Sequence, residues 1–377
     1  MKECPSGIKL SIVVSVFFLM VSCYSPQAQE VKTEIDISLP VDIPVIYNQK
    51  NPEPPPGVPS KIILEEELCL RFEKKKKGDF PSSVGNAAVD DEGNFFVFDN
   101  EEKKVKVFDR NGQLVRTFGE FEHGMGYMQI VEGKTIMIYS WGGKKRMYFY
   151  TTEGLYLKEI SAEKYHRVLN PLIDSKGNII AEFRNYKRRP RRGDSERTYV
   201  HGLRKMNPNF NPIVTIATFE WTSIFDQMLT SVTMPRFTYK VRKDDSIVWG
   251  IFYAYSDYEL YISNPDGKEI KKIVKDYDPE MITKEDKKGI PVYWPENFPP
   301  FRWIACDKQN EIYVQTYEKD ENGRTFWDVF DPEGKYIAKF SLPKVEKIIG
   351  IKKDYMYTRC NEWKEIHYVK RYRVIRE

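Results

Sequence analysis

Between Ala87 and Phe118 the chain reads AAVDDEGNFFVFDNEEKKVKVFDRNGQLVRTF, short apolar blocks cut by polar clusters at strand-length intervals. Runs rich in Phe, Val and Leu suit a pleated, half-buried surface, whereas Asp, Asn and Gly suit tight turns. The pattern predicts four strands, at Ala87–Val89, Phe95–Asp99, Val105–Phe108 and Leu114–Phe118. Asp90-Asp91-Glu92-Gly93-Asn94 and Asp109-Arg110-Asn111-Gly112 supply positive φ and side-chain bonds back to the main chain, so both are predicted as hairpin turns.

The same frame can be laid over the rest of the chain about six times. It recurs at Gln129–Ile160, from Asn170 through an insertion to Phe219, at Tyr239–Val274, at Ile304–Phe340 and at Lys347–Ile375. A single four-stranded sheet cannot bury both of its faces. Repeated sheets must therefore stack, and radial stacking into a propeller is the expected all-β fold, with six blades of four antiparallel strands. The last unit ends before a fourth strand. Ile62–Phe72 (IILEEELCLRF) is the expected donor that closes the ring, the alternative being a separate N-terminal hairpin.

The D-x-x-G-N-x-x-V-x-D and V-F-D-x-x-G spacings of the Ala87 unit resemble NHL-repeat and related six-bladed β-propeller proteins of bacteria. The resemblance covers roughly Lys61–Glu377 and is strongest at the first and fifth units. Such proteins often carry Gly-x-Gly-Pro-Gly-Glu-Phe after the first blade. Here Phe118–Met128 keeps Gly124 and Gly126 but lacks the Pro and Glu, so the resemblance implies a fold and assigns no role to that loop.

Composition agrees with such a fold: 41% hydrophobic and 14% aromatic residues, with 23 Pro and 22 Gly for turns. A formal charge of +4 over 377 residues is small for a dedicated nucleic-acid binder. Lys2 and Lys9 precede an apolar run, Leu10–Val21, that is too short to span a bilayer comfortably and reads as a secretory signal. Met20-Val21-Ser22-Cys23 resembles the lipobox of bacterial lipoproteins, which would make Cys23 the lipidated residue; ordinary cleavage near Ala28 is the alternative. The expected organisation is a signal over 1–23, a tether over 24–60 stiffened by Pro52–Pro59, and a propeller over 61–377, with the protein in the bacterial cell envelope. Of the remaining cysteines, Cys69, Cys306 and Cys360 read as buried thiols, with a Cys69–Cys360 bridge as the other possibility.

In a four-stranded blade the first and third turns share one face of the disc, and the second turn and the crossover share the other. The turns of the first face are uniformly tight. The insertions Arg184–Arg197, Glu220–Thr238 and Lys275–Pro300 all fall on the opposite face, where loops over a rigid frame usually carry binding groups. Trp141, Arg184, Trp221, Arg236, Tyr255, Tyr293, Trp294 and Arg302 belong to loops or strand ends on that face, and aromatic and Arg side chains make good anchors.

Reaction chemistry leaves few traces. There is no H-E-x-x-H and no G-x-S-x-G, and Gly133-Lys134-Thr135 lacks the preceding glycine of a phosphate loop, with Met128 in its place. His123 and His166 read as solvated. Glu318–Gly323 has the rhythm of a calcium loop, but Val329 stands where the bidentate Glu is needed, so hairpin geometry accounts for it better. Lys187–Arg192 is a basic insertion that reads as a solvated loop. The function expected from these features is a noncatalytic, envelope-tethered scaffold binding a protein, peptide or glycan on the loop-rich face, with no cofactor or resident metal, no nucleic-acid partner and a lipid anchor as its membrane contact. The resemblance to propellers supplies the alternative, a metal-dependent lactonase-like hydrolase or lyase.

Overall fold

The computed structural model describes residues 37–38, 42–73, 84–122, 125–140, 145–162, 168–188, 196–224, 234–268, 270–287, 294–361 and 366–377. Trp141, Tyr293, Cys23, His123 and His166 lie outside them. The described strands form six sheets, each with four antiparallel strands in meander order. Blade I comprises Val84–Val89, Phe95–Asp99, Lys104–Phe108 and Leu114–Phe118, close to the sequence reading. The innermost strands of the later blades are Met125–Val131, Val168–Ile173, Arg236–Val241, Phe301–Cys306 and Glu346–Lys352.

Each innermost strand lies beside that of the next blade, and Glu346–Lys352 of blade VI lies beside Val84–Val89 of blade I, which closes the ring. Ile62–Glu73 supplies the fourth strand of blade VI, pairing antiparallel with Ile366–Arg376, as expected. Lys61 and Glu377 exchange backbone hydrogen bonds at the outer end of this pair, 3.2 and 3.0 Å. The two ends of the repeat array are thus held together by a strand ladder.

The repeating turns have a common physical basis. Asp90, Asp174 and Asp307 each accept, through Oδ1, the backbone N–H four residues on, at 2.8 Å in every case. Asp109 and Asp331 do the same in the third turns of blades I and V. An acidic side chain that satisfies the turn from inside explains why Asp opens these turns. Gly334, at φ 101°, occupies a backbone region that other residues enter only with strain.

Apolar burial occurs between blades. One cluster joins Phe96, Phe98 and Val105 of blade I to Met128, Ile136 and Ile138 of blade II. Equivalent clusters follow around the ring, ending with Leu70, Phe72 and Tyr357 of blade VI against Ala87, Phe95 and Phe108 of blade I. Large aromatics fill these wedges, so each blade is covered on both faces by its neighbours.

Part of the segment expected as a tether is docked on the propeller. Ile37–Ser38 adds a fifth strand outside blade III, and Val45–Asn48 adds a parallel fifth strand outside blade IV. Asn48 fixes this edge: its amide donates to Gly334 O at 3.0 Å and its Oδ1 accepts from Tyr336 N–H at 2.8 Å, both on blade V. A sheet edge with unpaired backbone groups attracts an extended segment, and the chain covers its own edges in this way. Cys69, Cys306 and Cys360 form no disulfide among the described residues.

Candidate functional site: a cationic channel mouth

The innermost strands run from the loop-rich face toward the tight-turn face, so residues near their starts ring the channel mouth on the loop-rich side. There they enclose a cavity of about 320 Å³. Its walls include Asn86 of blade I, Tyr127 of blade II, Asn170 of blade III, Arg236 and Lys240 of blade IV, Arg302 and Trp303 of blade V, and Lys347 and Arg359 of blade VI. Five of its lining residues are cationic, and no lining residue among the described ones is a carboxylate.

Local packing holds each cation in place. Arg236 pairs in register with Phe252, and its guanidinium lies 4.6 Å from the centre of that ring. Arg302 lies 5.9 Å from the ring of Tyr317, which in turn stacks on Phe298 at 4.4 Å. Phe298 belongs to the Lys275–Pro300 insertion, which doubles back on itself through Ile282 N–H to Glu296 O and Phe298 N–H to Glu280 O, both 2.8 Å. The insertion therefore buttresses the aromatic shelf beneath Arg302. Lys347 and Lys240 both face Trp303, at 4.8 and 5.4 Å from the ring centre, and Lys240 donates to the Tyr127 hydroxyl at 2.8 Å. Cation–π contacts of this kind orient a charge without neutralising it.

The electrostatics are those of crowded like charges. Burial pushes the Lys347 ammonium down to about 7, with Arg359, Arg302 and Arg236 adding repulsion. Arg236 is exposed by surface area yet surrounded by protein atoms, as at the wall of an open cleft, and burial lowers its pKa while Glu182 opposes that shift and Arg302 and Arg184 add to it. Arg359, opposite Lys347 in register, is lowered by burial as well. Among the described residues no carboxylate lies within ion-pair distance of Arg236, Arg302 or Lys347. Glu182 is committed elsewhere, 2.9 Å from Nδ1 of the buried His201.

Several carboxylates elsewhere among the described residues are paired with lysines. Asp91 bridges Lys308 and Lys352 on the opposite face, at 2.7 and 2.9 Å, tying blade I to blades V and VI. Asp328 sits between Lys275, Tyr258 and Tyr336 inside the wall, and Asp174 pairs with Lys205 at 2.8 Å. At the channel mouth Arg236, Arg302 and Lys347 have no such carboxylate partner among the described residues.

The sequence-derived residues divide between this mouth and its surroundings. Arg236 and Arg302 line the cavity itself. Arg184 is on the second strand of blade III, 6.0 Å from the Tyr199 ring, and contributes to the field felt by Arg236. Trp221 is buried between blades III and IV, stacked on Tyr199 at 5.8 Å, and Tyr255 packs edge-on to Tyr253 at 5.3 Å. Trp294 packs with Phe252, Ile282 and Phe298 behind the mouth. Much of the region expected as loop is extended strand: Ile179–Tyr186, Glu196–Met206 and Pro212–Ile224 prolong blade III on that side. Lys347, Lys240 and Arg359 did not stand out in the sequence. The signal for Lys347 was its place in the repeat, since Arg302 and Lys347 are each the second residue of an innermost strand and Arg236 is the first.

The chain is a six-bladed β-propeller with a cationic channel mouth. No protein-family model matches its sequence, and no curated protein does. Solved structures similar to it include a Bacteroides fragilis protein described as exported, at 11% identity, TM-score 0.46, over 88% of this chain and 100% of the other. A DUF4221-family member from Bacteroides vulgatus matches at 10% identity and TM-score 0.43, over 84% and 99% of the two chains. Virginiamycin B lyase from Staphylococcus aureus matches at 8% identity and TM-score 0.44, over 82% and 99%. These likenesses concern fold, and none transfers an activity to this chain.

Proposed function

We propose that the protein is a noncatalytic binding scaffold of the bacterial envelope, tethered through a lipidated Cys23, that holds an acidic protein, peptide or glycan ligand across its loop-rich face. The observation that carries this reading is the convergence of five cationic side chains on the walls of one cavity, with no carboxylate among the described lining residues. Uncompensated charge in a cleft focuses field and favours ligands of opposite sign. The aromatic shelves under Arg236 and Arg302 hold the donors in place before a ligand arrives, which reduces the entropy lost on binding. The lactonase-like alternative is disfavoured by the same charges. A catalytic divalent cation placed there would meet five positive side chains with no carboxylate to offset them among the described lining residues.

The test is retention of paired acidic and neutral glycans and peptides by the purified protein and by an Arg236→Gln/Arg302→Gln double variant. The reading requires acidic members to be retained selectively and released by the double substitution. Equal retention of neutral members, or acidic retention that survives the substitution, would refute it. For the tether, Cys23→Ser should abolish incorporation of labelled palmitate in cells.

A further inference from the structure

Resting on that reading, we infer that the mouth grips its ligand by one compact tetrahedral dianion, the phosphate of a phosphomonoester or free phosphate, set among Arg236, Arg302 and Lys347. Three adjacent blades each contribute one donor, from the first or second position of an innermost strand. Donors contributed from three adjacent blades match a group with three terminal oxygens better than a planar carboxylate with two. The cavity, about 320 Å³, is at the small end for ligand pockets and suits one such group with an attached sugar-sized body.

Charge balance points the same way. Arg236, Arg302, Lys347 and the neighbouring Lys240, with no carboxylate among the described lining residues, leave an excess that a single negative charge does not offset. Trp303 carries lysine ammoniums against its ring at 4.8 and 5.4 Å, so a ligand meets charge there before it meets an aromatic face. Around Lys347 the facing groups are Arg359 on its own blade, Arg302 and Trp303 from blade V, and Arg236 from blade IV. Glu346, next to it in sequence, turns into the core and accepts from Thr358 and Tyr372 at 2.8 and 3.0 Å. Burial, with added repulsion from Arg359, Arg302 and Arg236, lowers the proton affinity of Lys347, and a bound dianion offsets that repulsion, so binding carries proton uptake at that amine.

The experiment is calorimetric titration of the purified protein with glucose 6-phosphate, glucose 6-sulfate, glucose and inorganic sulfate, with thermal unfolding confirming the fold of every variant. Glucose 6-phosphate is expected to bind at least about tenfold more tightly than glucose 6-sulfate, which has the same shape with one charge fewer, and glucose is expected not to bind. Arg302→Gln and Lys347→Met should each weaken glucose 6-phosphate about tenfold or more. Sulfate, which does not titrate in this range, should at pH 8 show uptake approaching one proton when buffers of different ionisation enthalpy are compared. Lys347→Arg should bind sulfate without that uptake. Sulfate affinity equal to that of glucose 6-phosphate would assign the site to the free oxyanion, within the inference. Equal affinity for the phosphate and sulfate esters overturns it, as does absence of proton uptake. If folded wild-type protein ignores both phosphate and sulfate yet retains acidic glycans, this inference fails while the scaffold reading stands; loss of both kinds of binding removes both.

Discussion

Lys240 of blade IV donates a hydrogen bond to the Tyr127 hydroxyl of blade II at 2.8 Å, so that two blades separated by a third are joined across the channel. Both residues line the mouth and also the cavity of about 260 Å³ on the opposite face, which makes the pair the waist between the two. The waist keeps Lys240 oriented toward Tyr127 and Trp303, and no carboxylate among the described residues lies within ion-pair distance of it.

Replacing Tyr127 with Phe removes the acceptor and nothing else of similar size. We expect a loss of about 1.5–3 kcal/mol, the usual worth of a hydrogen bond to a charged group. The urea midpoint should fall with little change in slope, because the surface exposed on unfolding is nearly the same.

Lys347→Met should raise stability. The side chain is partly buried among cations, and its pKa in the folded protein, about 7, lies below the ordinary 10.5. Between those values the unfolded chain holds the proton and the folded chain does not, so stability rises with pH across that window, and the full penalty applies below pH 7. The Met variant should be more stable at pH 6 by about 1–2 kcal/mol and should lack the rise between pH 7 and pH 10. Urea titrations across that range read both effects. A residue that weakens the fold and faces a cavity is one that stability alone does not explain.

The two lysines also show what the sequence could reveal. Asp-opened turns are local, because the side chain bonds backbone four residues on, and the second and fourth strands of blade I could be placed from them to the residue, whereas the first begins three residues earlier than expected. The closing strand was legible as an apolar run without a partner next to a unit lacking a strand. Channel-facing charge is different. KIIGIKK reads as an ordinary short strand, and only the ring geometry tells which of its positions look at the axis, so Lys347 was hidden while Arg302, flanked by a long insertion, was not. Composition pointed to Trp221 as readily as to Arg236, yet the first is stacked inside an inter-blade wedge and the second lines the mouth. The docking of 42–60 was illegible for a related reason, since the edges it covers are made by blades more than 200 residues away, as the separation of 226 between Asn48 and Val274 shows.

Asn48→Ala tests that docking. The substitution leaves the backbone N–H of Tyr336 and the carbonyl of Gly334 without their partner in a buried setting. Each buried orphan costs about 1–3 kcal/mol, and we expect a total loss of about 2–4 kcal/mol. Limited proteolysis should then cut within 42–60 in the variant under conditions that spare the wild type.

Asp307 offers a separate pH signature, remote from the mouth. Burial pushes its carboxyl up to about 6, and the neighbouring Glu311 adds to the shift. Glu311 itself is held below its ordinary value, although burial opposes this, by hydrogen bonds from Arg376 and Tyr313. The Tyr313 hydroxyl donates to Glu311 at 2.7 Å and reaches Asp307 only at 3.4 Å, so Glu311 takes the better partner and keeps the charge. With the folded value above the ordinary 3.8, the folded state binds more protons than the unfolded one between those two pH values, and Asp307 contributes stability that is lost as pH rises from about 4 to about 6. Asp307→Asn keeps an oxygen to accept the N–H groups of Gln309 and Glu311, at 2.9 and 2.8 Å, and removes the titration. Its stability should therefore lack the decline seen in the wild type across that interval and should equal or exceed the wild type at pH 7. Urea midpoints at half-unit pH steps read the difference, and an undiminished decline in the variant would place the titrating group elsewhere.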